Sequence, residues 1–534
     1  MRMRTLAVIA TILAALLLTG CSVVSSITPA PQPLPPEKTL RVVSGSENKA
    51  LEPIIADFEK ANGVKVDMTY QGSVDIMNAV HDGASSFDAA WPANSIWLAM
   101  GDDKHIVKSQ QSVMVSPVVF GIRMSKAKEL GWVGKDVTVA DILSAIRAKK
   151  LRFMMTSATQ SNSGASAYLG FLYALLGHPD EITAADLAKP ELQAQLKTIL
   201  SGVNRSSGSS DWLKDLYLSA PDRYDAMVNY EAVILRANEK LAPADKLTLI
   251  YPRDGMISAD YPLMLLNGDK REAYTKLVTT LKAALFQRDV LSAAFLRPAN
   301  PEVAAASALP SAAVAELGFP NRLEVIDAVL GAYQSQWRKP ATSIFVLDLS
   351  GSMRGQRLSS MRDALKLLSG ADASSAAATA SARYSAFQSR ERVVLITFAS
   401  DVSAPVWVRF EADKIDAART ELRRQADAMV ADGGTAIYSA LAAAEDLARQ
   451  ELAREPDRFV SIVLLTDGES NAGLKVDEFR ARYSSGLPAR IFPILFGEGN
   501  VAEMQQIAQL SGGREFDGRK FQLGQVFKEI RGYQ

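Results

Sequence analysis

Oxygen-bearing side chains in three separate segments have the types and spacing of a cation site. Asp348, Ser350 and Ser352 form an Asp-x-Ser-x-Ser pattern, Thr435 follows two glycines, and Asp467 stands in a later acidic segment. Mg²⁺ takes six oxygen ligands, keeps several waters and is usually held by one or two carboxylates. Two aspartates and three hydroxyls would give a site of low charge, with at least one coordination position open to an external carboxylate.

The elements around these side chains predict that they meet at one edge of a sheet. Four apolar runs have the composition of buried strands, at residues 343–347, 393–398, 461–465 and 491–496. Continuous apolar strands separated by helices indicate an α/β fold with a mostly parallel, doubly wound sheet. Such sheets bind ligands outside the carboxyl ends of their strands, where Asp348 and Asp467 are expected. The plainer alternative is that these residues cap helices and form turns.

The pattern is similar to the metal-ion-dependent adhesion site (MIDAS) of von Willebrand factor type A domains. This resemblance extends over residues 341–534 and includes a late segment at 507–513 followed by Phe516. It implies a bound Mg²⁺, with Mn²⁺ or Ca²⁺ as alternatives, and a protein partner that presents an acidic residue to the metal. We expect Asp348→Ala to abolish cation binding.

Two serine-rich segments predict a second kind of site. Ser44-Gly45-Ser46 ends a predicted strand before a helix, and Ser161 to Gly164 precedes another predicted helix. Hydroxyls and free N–H groups at helix starts attract anions. Two facing helix starts would therefore suit an anionic ligand held without a salt bridge, whereas the alternative is that the serines only cap their helices.

Residues 40–340 alternate strands and helices, which indicates βαβ units. Several segments, in order, resemble the two-lobed extracytoplasmic solute-binding proteins that include molybdate receptors. These segments are 43–46, 87–92, 116–123, 156–164, 224–231, 260–263 and 295–298. The resemblance implies that the chain crosses twice between lobes, with lobe one at about 40–120 and 262–340 and lobe two at about 121–261.

The same resemblance implies a solute cleft between the lobes. The ligand-binding residues expected there are Ser44, Gly45, Ser46, Ser73, Trp91, Ser161, Ser163, Asn229, Tyr230 and Glu231. A carboxylate such as Glu231 in the cleft would argue against a simple oxyanion. The small solute therefore stays open between an oxyanion and a polar organic molecule.

The amino-terminal segment predicts export and a lipid anchor at Cys21. Two arginines within the first four residues precede an uncharged, mostly apolar run at 5–18. A helix of that length reaches roughly 21 Å, short of the ~30 Å hydrocarbon core, which favours a cleaved signal peptide at 1–20 over a membrane span. Leu18-Thr19-Gly20-Cys21 resembles the lipobox of bacterial lipoproteins, which implies a lipidated cysteine in the cell envelope. Five prolines within the following 22–39 predict a semi-rigid tether.

The membrane that receives this anchor stays open. Ser22 follows the cysteine, so no aspartate is present there to resemble an inner-membrane retention signal. We expect the outer membrane facing the periplasm in a Gram-negative cell, or the outer face of the plasma membrane in a Gram-positive one.

Composition narrows the classes of function. The 534 residues predict three or four folding units. Lys plus Arg and Asp plus Glu each number 59, so no net charge draws the chain to nucleic acid. Removing Arg2 and Arg4 with the signal peptide leaves 57 basic and 59 acidic residues, a formal charge of −2. Three scattered histidines and one cysteine provide no thiolate metal cage. The Ala/Ser-rich segment 369–382 predicts a surface insertion or a helix extension.

These features favour a binding protein over an enzyme. The first hypothesis is an envelope lipoprotein that binds a small solute and engages a protein partner through its cation site. The alternative is the solute receptor of an ABC-type import system, and a metal-dependent hydrolase is a remote third. A predicted helix at about 321–337 leads into the first strand of the metal domain and would couple the two sites.

Overall fold

The computed structural model describes residues 38–533, apart from 82, 84–85, 103, 255–256, 306–308, 310–322, 371–385, 498 and 520–522. The predicted signal peptide, Cys21 and most of the tether lie outside the described residues, as does nearly all of the Ala/Ser-rich segment. Among the described helices, none has both the length and the apolar composition that a membrane crossing requires.

The described strands are, in chain order, β1 (Thr39–Gly45), β2 (Lys65–Gln71), β3 (Ala89–Trp91), β4 (Ser109–Ser112), β5 (Met114–Arg123), β6 (Phe153–Met154), β7 (Val203–Arg205), β8 (Ala226–Tyr230), β9 (Leu247–Ile250), β10 (Ser258–Ala259), β11 (Pro262–Leu265), β12 (Arg297–Pro298), β13 (Ala341–Asp348), β14 (Arg392–Phe398), β15 (Val406–Arg409), β16 (Phe459–Thr466), β17 (Arg490–Leu495) and β18 (Phe516–Asp517).

The described α-helices are α1 (Glu52–Asn62), α2 (Ser73–His81), α3 (Ile96–Gly101), α4 (Met124–Leu130), α5 (Val139–Arg147), α6 (Asn162–Leu175), α7 (Ala184–Leu187), α8 (Pro190–Ser201), α9 (Ser210–Ser219), α10 (Glu231–Lys240), α11 (Arg271–Lys282), α12 (Leu323–Ala332), α13 (Gln356–Ser369), α14 (Ile415–Ala428), α15 (Ile437–Arg454), α16 (Val476–Arg482), α17 (Val501–Ser511) and α18 (Leu523–Arg531). Short 3₁₀ turns include Ser46–Leu51 and Gly351–Met353, and a π-helical turn spans Tyr333–Trp337.

Two sheets form the two lobes of the amino-terminal part. The first has strand order β2-β1-β3-β11-β4, and the second has order β10-β5-β8-β6-β7 with β9 and β12 also paired to β5. Helices α1, α2, α3 and α11 belong with the first sheet, and α4 to α10 belong with the second. The chain passes between the sheets after β4 and again after β10, as predicted, and it returns to the second sheet at β12, a third crossing that was not expected.

The lobe boundaries differ from those expected. Strand β5 pairs within the second sheet from Met114, opposite Pro298, to Arg123, opposite Leu247. The first crossing therefore falls near residue 113 rather than 120, because the apolar run of β5 continues straight through the expected boundary.

Helix α12 was expected on lobe one but lies against lobe two. The hydroxyl of Tyr168 in α6 donates to the carbonyl oxygen of Val329 at 3.1 Å. The Tyr168 ring lies 5.3 Å from that of Tyr333. An apolar helix face does not itself encode which of two neighbouring cores it joins.

A third sheet forms the carboxyl-terminal domain, with strand order β15-β14-β13-β16-β17-β18. All neighbours are parallel except β15, which runs antiparallel to β14. Alternate side chains of β13 enter different cores: Phe345 packs toward α13, α14 and α18, and Ile344 packs toward α15, α16 and α17. Helices cover both faces, which confirms the predicted doubly wound, mostly parallel sheet.

Basic residues connect this domain to lobe two. Arg490 of β17 donates to the hydroxyl of Tyr224 at 2.7 Å. The guanidinium of Arg205 in β7 lies 5.8 Å from the ring centroid of Phe492. The third sheet thus packs directly against the second lobe.

Candidate functional site

The three segments of the predicted cation site meet at the carboxyl edge of the third sheet. Asp348 is the last residue of β13, and Asp467 follows the last residue of the neighbouring β16. The loop before α15 reaches the same edge, because the N–H of Gly351 donates to the carbonyl oxygen of Gly433 at 3.0 Å. Adjacent parallel strands therefore deliver both aspartates to one place.

Hydrogen bonds join four of the five predicted ligands. The Ser352 hydroxyl donates to Oδ1 of Asp467 at 2.7 Å and lies 3.0 Å from the Ser350 hydroxyl. The N–H of Ser350 donates to Oδ1 of Asp348, also at 2.7 Å. The Asp-x-Ser-x-Ser turn thus orients its own oxygens toward the edge of the sheet.

Thr435, the fifth predicted ligand, is held from its backbone. Asn471 accepts from the N–H of Thr435 at 2.8 Å, and its own N–H donates to the Thr435 carbonyl oxygen at 2.9 Å. A Cβ added to Gly468 would lie 3.6 Å from the Thr435 hydroxyl and 4.0 Å from that of Ser352. Both hydroxyls therefore border the same small space.

The two carboxylates are buried, with Asp348 at 0% and Asp467 at 4% exposure. Burial raises the pKa of Asp348 and the nearby charge of Asp467 adds to this rise, although hydrogen bonds from Thr466 and Ser350 oppose it. Within the described residues, no group of three or more His, Cys, Asp or Glu side chains is placed to hold a metal. A cation held here would take several ligands from hydroxyls, and this all-oxygen set fits a hard divalent cation such as Mg²⁺.

Sequence reasoning missed two residues of this site. Thr466 donates its hydroxyl to Oδ2 of Asp348 at 2.5 Å. Arg357 forms a salt bridge with Oδ2 of Asp467. Arg357 carried a signal, since a basic residue in the first turn of a helix opposes the helix dipole.

Residues of both lobes meet where the solute cleft is predicted. Trp97 of lobe one donates its ring N–H to Oδ1 of Asn162 at 2.6 Å, and Asn162 donates to the hydroxyl of Tyr230 at 3.0 Å. A Cβ on Gly72 of lobe one would lie 2.0 Å from the carbonyl oxygen of Gln160 in lobe two. The lobes are therefore in contact, and Gly72 allows the close approach.

Ser44, Gly45 and Ser46 lie where β1 gives way to the 3₁₀ turn, and both serines are buried. Asn48 donates to the Ser44 hydroxyl at 3.0 Å, whereas the buried Oδ1 of Asn48 has no hydrogen-bond partner within the described residues. Glu47 folds back over Gly45, where a Cβ would lie 2.5 Å from its Oε1. Burial raises the pKa of Glu47 to about 7.

Ser73 and Trp91 shape the wall of lobe one. The Ser73 hydroxyl accepts from the N–H of Ala93 at 3.1 Å. The ring N–H of Trp91 donates to the carbonyl oxygen of Tyr261 at 3.2 Å. These polar atoms already have partners inside the protein, so both residues position neighbouring segments.

Serines of lobe two form a hydroxyl cluster. The Ser163 hydroxyl lies 2.8 Å from that of Thr156 and 2.7 Å from that of Ser210, and the Ser161 hydroxyl lies 3.4 Å from Ser210. Because Ser161 immediately precedes α6 and Ser210 begins α9, two helix starts converge here. Hydroxyls at the starts of both helices therefore lie together in one buried cluster.

The segment Ser206-Ser207-Gly208-Ser209-Ser210 was missed by the sequence analysis. It has the same signal as Ser161 to Gly164, small polar residues directly before a helix. The buried hydroxyls of Ser206 and Ser209 have no hydrogen-bond partner within the described part of the chain. Like Oδ1 of Asn48, these two hydroxyls are buried polar atoms without a hydrogen-bond partner among the described residues.

Three predicted cleft residues lie together at the end of β8 and the start of α10: Asn229, Tyr230 and Glu231. Asn229 donates to the carbonyl oxygen of Ser210 at 2.8 Å, and the Tyr230 ring packs 5.7 Å from that of Tyr261. Both oxygens of Glu231 accept from Arg297 at 2.8 Å. Glu231 thus forms an ion pair within lobe two, and its place on the cleft stays a prediction.

Family comparisons agree with this two-part architecture. Residues 40–288 match the family model of bacterial extracellular solute-binding proteins. Residues 344–529 match the family model of the von Willebrand factor type A domain. The chain therefore resembles an extracellular solute-binding domain over its first part and a type A domain over its last part.

Similar solved structures include three binding proteins. The periplasmic binding protein AfuA from Actinobacillus pleuropneumoniae shares 10% identity at a TM-score of 0.44, over 55% of this chain and 97% of that chain. The ferric binding protein from Campylobacter jejuni shares 16% at 0.41, over 55% and 98%. Iron-bound HitA from Pseudomonas aeruginosa shares 13% at 0.43, over 55% and 98%. A comparison with curated proteins finds no match.

Proposed function

We propose that this chain, with its extracellular solute-binding domain and type A domain, is a lipid-anchored envelope protein that binds a solute and engages a protein partner through a divalent cation. The observation that carries the proposal is the convergence of five oxygen-bearing side chains at one sheet edge. They are Asp348, Ser350, Ser352, Thr435 and Asp467. The lipobox-like sequence ending at Cys21 supports the anchor.

Each residue of the cation site has a distinct task. Asp348 is oriented by the Ser350 N–H and the Thr466 hydroxyl, and it supplies buried negative charge. Ser350, Ser352 and Thr435 supply neutral oxygens. A bound Mg²⁺ would keep a position for an external carboxylate, because few protein charges neutralise it. The partner is therefore expected to present an Asp or Glu side chain.

A pull-down from envelope extract tests this function. Full-length wild type and Asp348→Ala are used as bait with Mg²⁺ and with a chelator, and Asp416→Ala serves as control because the Asp416 side chain is 86% exposed. We expect a partner that is retained by wild type and by the control only with Mg²⁺. A partner retained equally with Mg²⁺ and with the chelator, and equally by wild type and Asp348→Ala, would contradict the proposal.

A second observation supports solute binding between the lobes. Buried polar atoms in proteins are nearly always hydrogen-bonded, yet Oδ1 of Asn48 and the hydroxyls of Ser206 and Ser209 have no partner within the described residues. We propose that a small polar or anionic solute bound between the lobes satisfies such groups. Ligand binding to the native state raises thermal stability. A fluorimetry screen of the full-length protein should find a stabilising solute, and no shift across anions and polar metabolites would leave the lobes as a scaffold.

The import-receptor alternative shares this cleft and differs in its consequences. It predicts that deleting the gene abolishes uptake of the stabilising solute, whereas normal uptake in the deletion strain would favour the sensing or capture function. We propose a binding role rather than catalysis. Metal-dependent hydrolysis above an Asp348→Ala control would overturn that choice.

A further inference from the structure

We propose that Arg357 is a built-in counter-cation of the metal site, which occupies Asp467 and must be displaced before a divalent cation can load. The inference rests on the cation site proposed above and concerns its regulation. Arg357 is the second residue of α13, the helix that follows the Asp-x-Ser-x-Ser turn.

The contacts of Arg357 are with the predicted ligands themselves. Its Nη1 donates to Oδ2 of Asp467 and to the carbonyl oxygen of Ser352, the latter at 3.3 Å. The Asp467 side chain is 0% exposed and that of Arg357 is 34% exposed. A guanidinium reaching in from the surface therefore neutralises a buried carboxylate that the metal would otherwise use.

A glycine leaves space for this guanidinium beside Asp467. Gly497 lies against it, and a Cβ there would be 2.7 Å from Cζ and 2.8 Å from Nε of Arg357. The φ of Gly497 is +69°, a conformation that favours glycine. The absence of a side chain at this position leaves room for the planar group beside Asp467.

The position of Arg357 in the first turn of α13 does not itself favour a positive charge there. Cations are disfavoured in the first turn of a helix, where the dipole is positive, so α13 itself offers Arg357 no attraction. Arg354, three residues earlier, pairs instead with Asp432, and these side chains are 64% and 81% exposed. The two arginines therefore form a natural comparison: one is engaged with the buried aspartate and the other with a surface residue.

A divalent cation and the guanidinium compete for the same carboxylate. Like charges within a few ångströms repel strongly where water is partly excluded. Metal loading therefore requires the Arg357 guanidinium to move away from Asp467. The net affinity for Mg²⁺ is then lower than the five oxygens alone would give. The competition keeps Asp467 neutralised in the metal-free protein.

Calorimetric titration of the full-length protein with MgCl₂ tests the proposal. Arg357→Gln removes the competing charge and is expected to tighten Mg²⁺ binding about tenfold. Arg357→Lys keeps the charge and is expected to remain within about threefold of wild type. The control Arg354→Gln is expected to leave the affinity within about twofold of wild type, because its partner is a surface aspartate.

A second variant displaces the guanidinium without changing any charge. Gly497→Ala places a methyl group against Cζ of Arg357 and is expected to tighten Mg²⁺ binding about threefold. Unchanged or weaker binding by both Arg357→Gln and Gly497→Ala, with wild type still binding Mg²⁺, would overturn the counter-cation and leave the cation site standing. Absence of Mg²⁺ binding in wild type and all variants would instead overturn the site itself.

Discussion

Glu391 connects three parts of the chain through a buried charge cluster. It lies directly before β14, accepts from Arg531 of α18 at 2.7 and 2.9 Å, and also pairs with Arg338 of the interdomain linker. The side chains of Glu391, Arg531 and Arg338 are only 4%, 5% and 11% exposed. Burial opposes ionisation of Glu391, but Arg531 and Arg338 hold its pKa below the usual value.

Replacing Glu391 with Gln keeps the shape of the side chain and removes its charge. Two buried guanidinium groups then lack their counter-charge, and removal of one partner from a buried ion pair costs about 3–5 kcal/mol. Glu421 provides a matched control, because its pair with Arg424 has side chains 37% and 64% exposed. The Glu421→Gln change should cost about 0.2–1 kcal/mol.

Urea unfolding of the full-length protein, followed by circular dichroism and tryptophan fluorescence, measures both variants. We expect Glu391→Gln to lower the urea midpoint for unfolding of the third sheet. The midpoint for unfolding of the two amino-terminal lobes should change little. Equal midpoints for Glu391→Gln and Glu421→Gln would refute the reasoning, since the Glu391 cluster would then behave as a solvated surface pair.

Two further predictions concern buried positions elsewhere in the chain. Burial raises the pKa of Glu445 from 4.5 to about 8, so the folded state holds a proton that the unfolded state has released, and stability falls as pH rises through this window. At about 1.4 kcal/mol per pH unit between the two pKa values, Glu445→Gln should therefore stabilise the protein by about 4–5 kcal/mol above pH 8 and by less than about 1 kcal/mol at pH 5, and an equal effect at both pH values would contradict the assignment. Gly72→Ala places a methyl group 2.0 Å from the Gln160 carbonyl oxygen and should hold the lobes apart. Small-angle scattering should then show a larger radius of gyration, and an unchanged radius would count against the contact.

Fold class was predictable because buried parallel strands are continuous apolar runs. The run at 461–465 predicted β16, and the structure extends this strand to Phe459–Thr466. Lobe boundaries were harder to predict, because β5 has the same apolar composition on both sides of the expected crossing. The placement of α12 on lobe two depends on the contact between Tyr168 and Val329, which are far apart in sequence.

The residues of the candidate sites were also predictable only in part. Asp348 and Asp467 could be placed because each ends or follows a buried strand. Arg357 could not be assigned a partner, because its salt bridge joins residues 110 positions apart. The ion-pair partner of Glu231 could not be predicted, because Arg297 lies 66 positions away in sequence.

Equilibrium binding of Mg²⁺ tests the divalent-cation site most directly. Full-length wild type, Asp348→Ala and the exposed control Asp416→Ala are titrated under identical conditions. The proposed site predicts one equivalent of Mg²⁺ bound by wild type and by Asp416→Ala, and none by Asp348→Ala. Equal binding by all three proteins, or no binding by wild type, would contradict it.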